Sequence, residues 1–151
     1  FREDYEDGTL DYFISSNNFH ESVIIAKVFS HWLLTTLPVV LVSPFISLLL
    51  GIDYKTTLIL FLSLIIGTPT MSLLGSVAAA LTLTIKRGKI LLAIIVLPMY
   101  VPILIFGTSA VNNSFLQINF ISELIFLSMN FLLFLLISPT ACLKSLKLSL
   151  D

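Results

Sequence analysis

The chain has 151 residues, 57% of them hydrophobic and only 11% charged, with eight basic residues against nine acidic ones for a net charge of −1. A globular domain carries about 25% charge, so this composition excludes a water-soluble fold and points to a membrane protein. The one cysteine, Cys142, has no intrachain disulfide partner, and no C-x-x-C or H-E-x-x-H spacing offers a metal site.

The first eleven residues, FREDYEDGTLD, hold five of the nine carboxylates. That acidity does not fit the basic start and apolar stretch of a signal peptide. Because the first residue is Phe, we expect a piece of a longer protein with sequence upstream. Leu10, Phe13 and Ile14 fall at i, i+3 and i+4, which predicts a short amphipathic helix. Asp7 or Thr9 can cap it, and acidic side chains there complement the helix dipole. A polar turn at 15–18 ends it. Asn18 followed by Glu21 is a capping-box-like start for a second helix that brings Lys27, His31 and Trp32 to the membrane surface. Interfacial helices usually meet anionic lipid with Lys and Arg. An acidic lip therefore suits a basic protein partner better than lipid, with a solvated loop as the alternative.

Uncharged runs follow at 28–52, 56–85, 90–122 and 124–143. Each reaches the roughly 20 residues needed to cross a bilayer core. They are apolar on every face and lack the period-two alternation of a β-barrel. The expected architecture is therefore all-α: a polytopic helical membrane protein with four transmembrane helices at 28–52, 56–85, 90–110 and 122–143, a cytoplasmic helical segment at 1–27 and a cytoplasmic tail at 144–151. Seven of the eight basic residues fall on the side of the N-terminal segment, and only Lys55 falls opposite. The positive-inside rule then places both ends of the chain in the cytoplasm.

All six prolines lie in or at the end of an apolar run. The pair in LPMYVP, 97–102, predicts a kinked or broken third helix. In the second span, Gly67, Gly75 and Ala79 alongside Ser72, Ser76 and Ala80 form two adjacent small-residue stripes, a face for close helix packing. No Asp, Glu, Lys or Arg stands deep in these spans, and Asp53 and Glu123 are expected to face water. Carriers driven by an ion gradient usually keep such a charge inside, so that class is disfavoured.

FREDYEDGTLD, AKVFSHW at 26–32, Ser43-Pro44, GTP at 67–69, KRG at 86–88 and LPMYVPILIFG at 97–107 occur in an order that resembles the cytochrome c maturation protein B (CcmB) family, nearly end to end. Members have six spans, so the resemblance implies that the four here are the C-terminal part. It further implies a permease-like subunit of an ATP-binding-cassette (ABC) complex in a bacterial inner membrane. The partners would be a CcmA-like ATPase, CcmC-like and CcmD-like membrane subunits and the haem chaperone CcmE. ATP would be bound by the ATPase, since this sequence has no G-x-x-x-x-G-K-[ST] phosphate loop. By the same resemblance, Glu6, Asp7, Gly8, Thr9 and Leu10 would dock onto the ATPase, with Phe13 and Ile14 as apolar anchors.

Haem would be a handled substrate rather than a resident cofactor. His20, His31, Met71, Met99 and Met129, with Cys142 as a weaker candidate, are the residues chemically able to bind its iron. A structural role for His31 beside an interfacial Trp32 anchor is the simpler reading, methionines are common apolar filling, and no haem ligand is assigned. Three functions compete: the ABC membrane subunit, an independent transporter or channel, and a passive scaffold of the maturation complex. Paired carboxylates or metal ligands within a span, as a membrane enzyme would need, are absent, and no nucleic-acid partner is expected.

Overall fold

A computed structural model describes Asp7, residues 21–83, Ile85 and residues 88–148. Among the described residues five helices are formed: α1 (Glu21–Thr35), α2 (Leu37–Leu49), α3 (Tyr54–Leu81), α4 (Gly88–Phe115) and α5 (Ile121–Leu148). Together α1 and α2 make one span, Glu21–Leu49, so four segments are long and apolar enough to cross a membrane. In hydrocarbon every backbone N–H and C=O needs a partner, which a helix supplies within itself.

Helix α3 touches every other helix, and its side-chain sizes explain why. Gly67 brings α4 close, since a Cβ there would sit 3.5 Å from Ile103 Cγ2. Gly75 admits the Tyr100 ring, whose hydroxyl donates to the Met71 carbonyl at 2.8 Å. A Cβ on Gly75 would lie 2.9 Å from that hydroxyl. The neighbouring stripe meets α5. Ser76 Oγ donates to the Leu73 carbonyl at 2.7 Å, and Ser138 Oγ from α5 donates to the same carbonyl at 3.1 Å. Cys142 Sγ lies 3.5 Å from Ser76 Oγ, and Ala80 packs in a buried cluster with Ile24, Leu73, Cys142 and Leu146. A second cluster of Leu74, Ile103 and Leu127 joins α3, α4 and α5, with Phe106 and Phe126 stacked at 3.8 Å beside it.

The far ends of the helices are tied by hydroxyl pairs. Ser47 meets Thr57 at 2.8 Å, and Thr56 meets Ser114 at 3.2 Å. Gly51 turns the chain from α2 into α3 with φ of 75°, a left-handed conformation that glycine adopts without steric cost. Asp53 then caps α3, accepting from Thr56 N–H at 3.0 Å. The Thr56 hydroxyl, then its N–H, hold the exposed Asp53 carboxyl below the usual carboxylate range.

Several sequence expectations change here. The third span is not broken: α4 continues through Pro98 and Pro102, because each proline removes only its own donor and lipid offers the rest of the backbone no competing partner. The interruption falls in the first span instead, at Thr36, with Pro38 opening α2. At Pro44 the lost N–H would have met the Val40 carbonyl, and the Ser43 hydroxyl donates to that carbonyl at 2.8 Å. Trp32 is not an interfacial anchor. It is buried, and its Nε1–H donates to Thr68 Oγ1 at 2.9 Å, at the middle of α3. The helix already includes Glu21, ahead of the first uncharged residue, so Trp32 stands about 16 Å beyond Glu21 along it. The helical span that contains His31 runs from Glu21 and so takes in Lys27 as well, which the uncharged run at 28–52 left just outside. Glu123 does not simply face water: Asn113 Nδ2 donates to its Oε1 at 2.8 Å, while Oε2 is buried without a partner. The Asn113 amide reaches it because α4 extends to Phe115 alongside the start of α5.

Two measurements check this packing. Gly75→Leu should lower the stability of the purified protein by about 1–3 kcal/mol through overpacking against Tyr100, read as a lower midpoint of thermal unfolding in detergent. Gly107→Leu, which has nothing within 4 Å of its Cβ position, should not. For the Trp32–Thr68 bond, a double-mutant cycle of Trp32→Phe and Thr68→Val should return a coupling near the ~0.6 kcal/mol typical of hydrogen bonds between membrane helices.

Candidate functional site: a polar cleft between α1, α3 and α4

Helix α1 carries two parallel stripes at four-residue spacing. Ile24, Val28 and Trp32 are buried against the bundle. Lys27, His31 and Thr35, each one residue from that seam in sequence, form a polar stripe about 12 Å long on an adjoining face. Opposite stand Ser72, Gly75 and Ala79 of α3, and Tyr100 of α4 closes the side. The space between is a cleft of about 450 Å³, within the usual range for small-molecule sites of roughly 300–1,000 Å³.

The side chains are arranged by bonds that also limit what they can offer. Tyr100 spends its hydroxyl proton on Met71, leaving its ring to form an apolar wall and its oxygen able to accept. Ser76 is turned towards α5. His31 Nδ1 lies 3.2 Å from Thr35 Oγ1. The described lining includes a lysine and a histidine, in a region where an ionisable side chain usually marks a functional path.

Two further depressions are different in kind. One of about 370 Å³ lies between α3 and α4 towards the Asp53 end, with Gly67, Thr68, Met71, Gly107, Thr108 and Asn112 on its walls. The other, about 280 Å³, is apolar and runs between Trp32, Pro69 and Phe131. Among the described residues, neither is lined by a charged side chain.

Of the residues singled out from sequence, His31 lines the charged cleft and Met71 the uncharged groove. Met99 and Met129 are exposed on the outer faces of α4 and α5, while Cys142 is fully buried in the hydroxyl cluster. These side chains are not brought together, and among the described residues no group of three or more His, Cys, Asp or Glu could hold a metal ion. Asp7 is exposed in a turn, whereas Glu6, Gly8, Thr9, Leu10, Phe13, Ile14, Asn18 and His20 lie outside the described residues. The sequence reading missed Tyr100, Thr35 and Lys27 as neighbours of His31. The available signal was the four-residue spacing of Lys27, His31 and Thr35, hidden by starting the first span at Val28.

The family model described as "CcmB protein" matches residues 1–149. The protein named "Heme exporter protein B" of Pseudomonas aeruginosa is 41% identical over 99% of this chain and 67% of its own length. The proteins of the same name from Haemophilus influenzae and Paracoccus denitrificans are 35% and 38% identical, over 100% and 99% of this chain and 68% and 69% of their own lengths. The chain thus spans about two thirds of these relatives. This four-span helical membrane bundle belongs to the CcmB protein family.

Proposed function

We propose that this chain is the permease-like membrane subunit of an ABC-type complex in cytochrome c maturation, handling haem while a separate CcmA-like subunit hydrolyses ATP. The observation that carries the reading is the end-to-end family match to proteins named for haem export, joined to a bundle with a charged cleft between its helices. CcmC-like and CcmD-like subunits and a CcmE-like chaperone would complete the complex. ATP hydrolysis would drive either haem passage or release of haem-loaded chaperone.

Lys86, Arg87 and Lys89 fall between the end of α3 and the first turn of α4, and Lys144 and Lys147 lie in the last turns of α5, all at one end of the bundle by chain order. By the positive-inside rule that end is cytoplasmic in a bacterial inner membrane, together with both termini of this chain. The Lys27–His31 cleft then opens in the cytoplasmic half. The acidic segment is on the same side, where Glu6, Asp7, Gly8, Thr9 and Leu10, backed by Phe13 and Ile14, would dock onto the ATPase. Coupling requires that these contacts differ between the ATP-bound and nucleotide-free partner. The break at Thr36 and Pro38 supplies a place where α1 and α2 can change their relative setting.

Replacing Gly8, Thr9 and Leu10 together in the full-length protein tests the docking. Co-purification of the ATPase subunit should fall and cytochrome c maturation should stall; undiminished association would remove these residues from the interface. An ATPase-dead partner that still supports maturation would establish a passive scaffold instead.

A further inference from the structure

Two spaces lie along the same wall of α3. The inner cleft of about 450 Å³ rests on Ser72, Gly75 and Ala79, and the outer groove of about 370 Å³ rests on Ser63, Gly67, Thr68 and Met71. Met71 and Ser72 are adjacent residues, so one space begins where the other stops. The boundary between them is Tyr100 of α4. Its side chain lines the inner cleft, and its hydroxyl donates to the Met71 carbonyl at 2.8 Å. Glycine at 75 leaves the room that the hydroxyl occupies, since a Cβ there would lie 2.9 Å from it.

The helix that carries Tyr100 is weakened on both sides of it. Pro98 has no N–H for the Ile94 carbonyl, and Pro102 has none for the Pro98 carbonyl, so α4 lacks two backbone bonds around this position. Sharp bends in helices concentrate where prolines remove such bonds. Between the buried Val96 and Ile103 every α4 residue is exposed except Tyr100, which is half-buried. Tyr100 is therefore the side chain that holds this stretch of α4 inward. The wall opposite is fixed. At the same level of α3, Thr68 accepts from Trp32 of α1 at 2.9 Å, and Leu73 and Leu74 are buried in the clusters that α3 shares with α5. Any relative movement at this depth falls to α4.

We propose that Tyr100 is a gate. Bonded to Met71, it separates the inner cleft from the outer groove; a bend of α4 at Pro98 and Pro102 swings it off Gly75 and joins the two into one passage along α3. The structure holds the closed arrangement, with the hydroxyl bond as the catch, Gly75 as its seat and the proline pair as the hinge. Opening gives up one hydrogen bond between membrane helices, a modest loss, so a small difference in contacts elsewhere shifts the balance between closed and open. The gate rests on the permease reading and deepens it by naming the contact that controls passage.

The test uses the full-length protein in sealed vesicles of defined orientation, with Gly107→Cys as the reporter. Position 107 lines the outer groove, about 10 Å beyond Tyr100 along α4. It has nothing within 4 Å of its Cβ position, and the native Cys142 is fully buried. A membrane-impermeant maleimide added on the side that carries Lys144 should label the reporter slowly. Tyr100→Ala should raise that rate at least tenfold. Tyr100→Phe, which keeps the ring and loses only the hydroxyl, should raise it about threefold, as loss of a weak hydrogen bond between helices implies. Labelling from the opposite side should be the same in all three proteins, which also shows that the variants are folded. An equal rate from the Lys144 side with and without Tyr100→Ala would overturn the proposal. So would a reporter reached as fast from the Lys144 side as from the other while Tyr100 is in place. Neither ATP nor the ATPase subunit enters this measurement, so a failure of the gate stays distinct from a failure of the permease reading, which maturation with an ATPase-dead partner tests.

Discussion

The constraint on which this structure depends is that polar groups inside a hydrocarbon slab must find partners within the protein. Helices satisfy the backbone, but hydroxyls, an indole N–H and proline-orphaned carbonyls are left over, and α3 collects most of them. Trp32 bonds to Thr68 across to α1, Thr57 to Ser47 of α2, Thr56 to Ser114 of α4, and Ser138 of α5 to the Leu73 carbonyl. Each such bond is individually modest in a membrane. Together with the glycines that let Ile103 and Tyr100 approach, they fix which face of α3 meets which neighbour. That arrangement leaves the Lys27–His31–Thr35 stripe facing an open cleft rather than packed protein.

The contrast between the two stripes of α1 links fold to function. The buried stripe holds the helix in place through Ile24 and Val28, which pack in the core, and the Trp32 hydrogen bond. With α1 anchored there, the exposed polar stripe borders the cleft between α1, α3 and α4. Thr35 and Thr36 stand where the polar stripe meets the joint between α1 and α2. A movement of that joint would therefore act on the His31 hydrogen bond. The helix break and the polar cleft thus meet at one place in the fold.

Much of this was legible beforehand because it rests on composition and side-chain size. Four uncharged runs specified helices, and the Gly67, Gly75, Ser76 and Ala80 pattern specified α3 as the helix its neighbours approach most closely. Family motifs such as LPMYVPILIFG carried the relationship. What sequence reading misjudged turned on three-dimensional depth. Counting the first span from its first uncharged residue left Lys27 outside and put Trp32 at the surface, although the described helix already includes Glu21. Glu123 looked exposed because it sits near a span end, and only the extension of α4 past Asn112 brings Asn113 to it. Prolines marked possible breaks but not which one is realised, since that depends on whether neighbouring turns are held by packing.

The polar stripe of α1 lines an opening into the bundle. Site-directed thiol labelling measures this directly, because the native Cys142 is fully buried and gives a silent background. Cysteines at positions 27, 31 and 35 should react with a membrane-impermeant maleimide added on the side that carries Lys144, while cysteines at 39 and 46, on the exposed apolar surface of α2, should not. Labelling absent at all three stripe positions, or equal at stripe and lipid-facing positions, would contradict it.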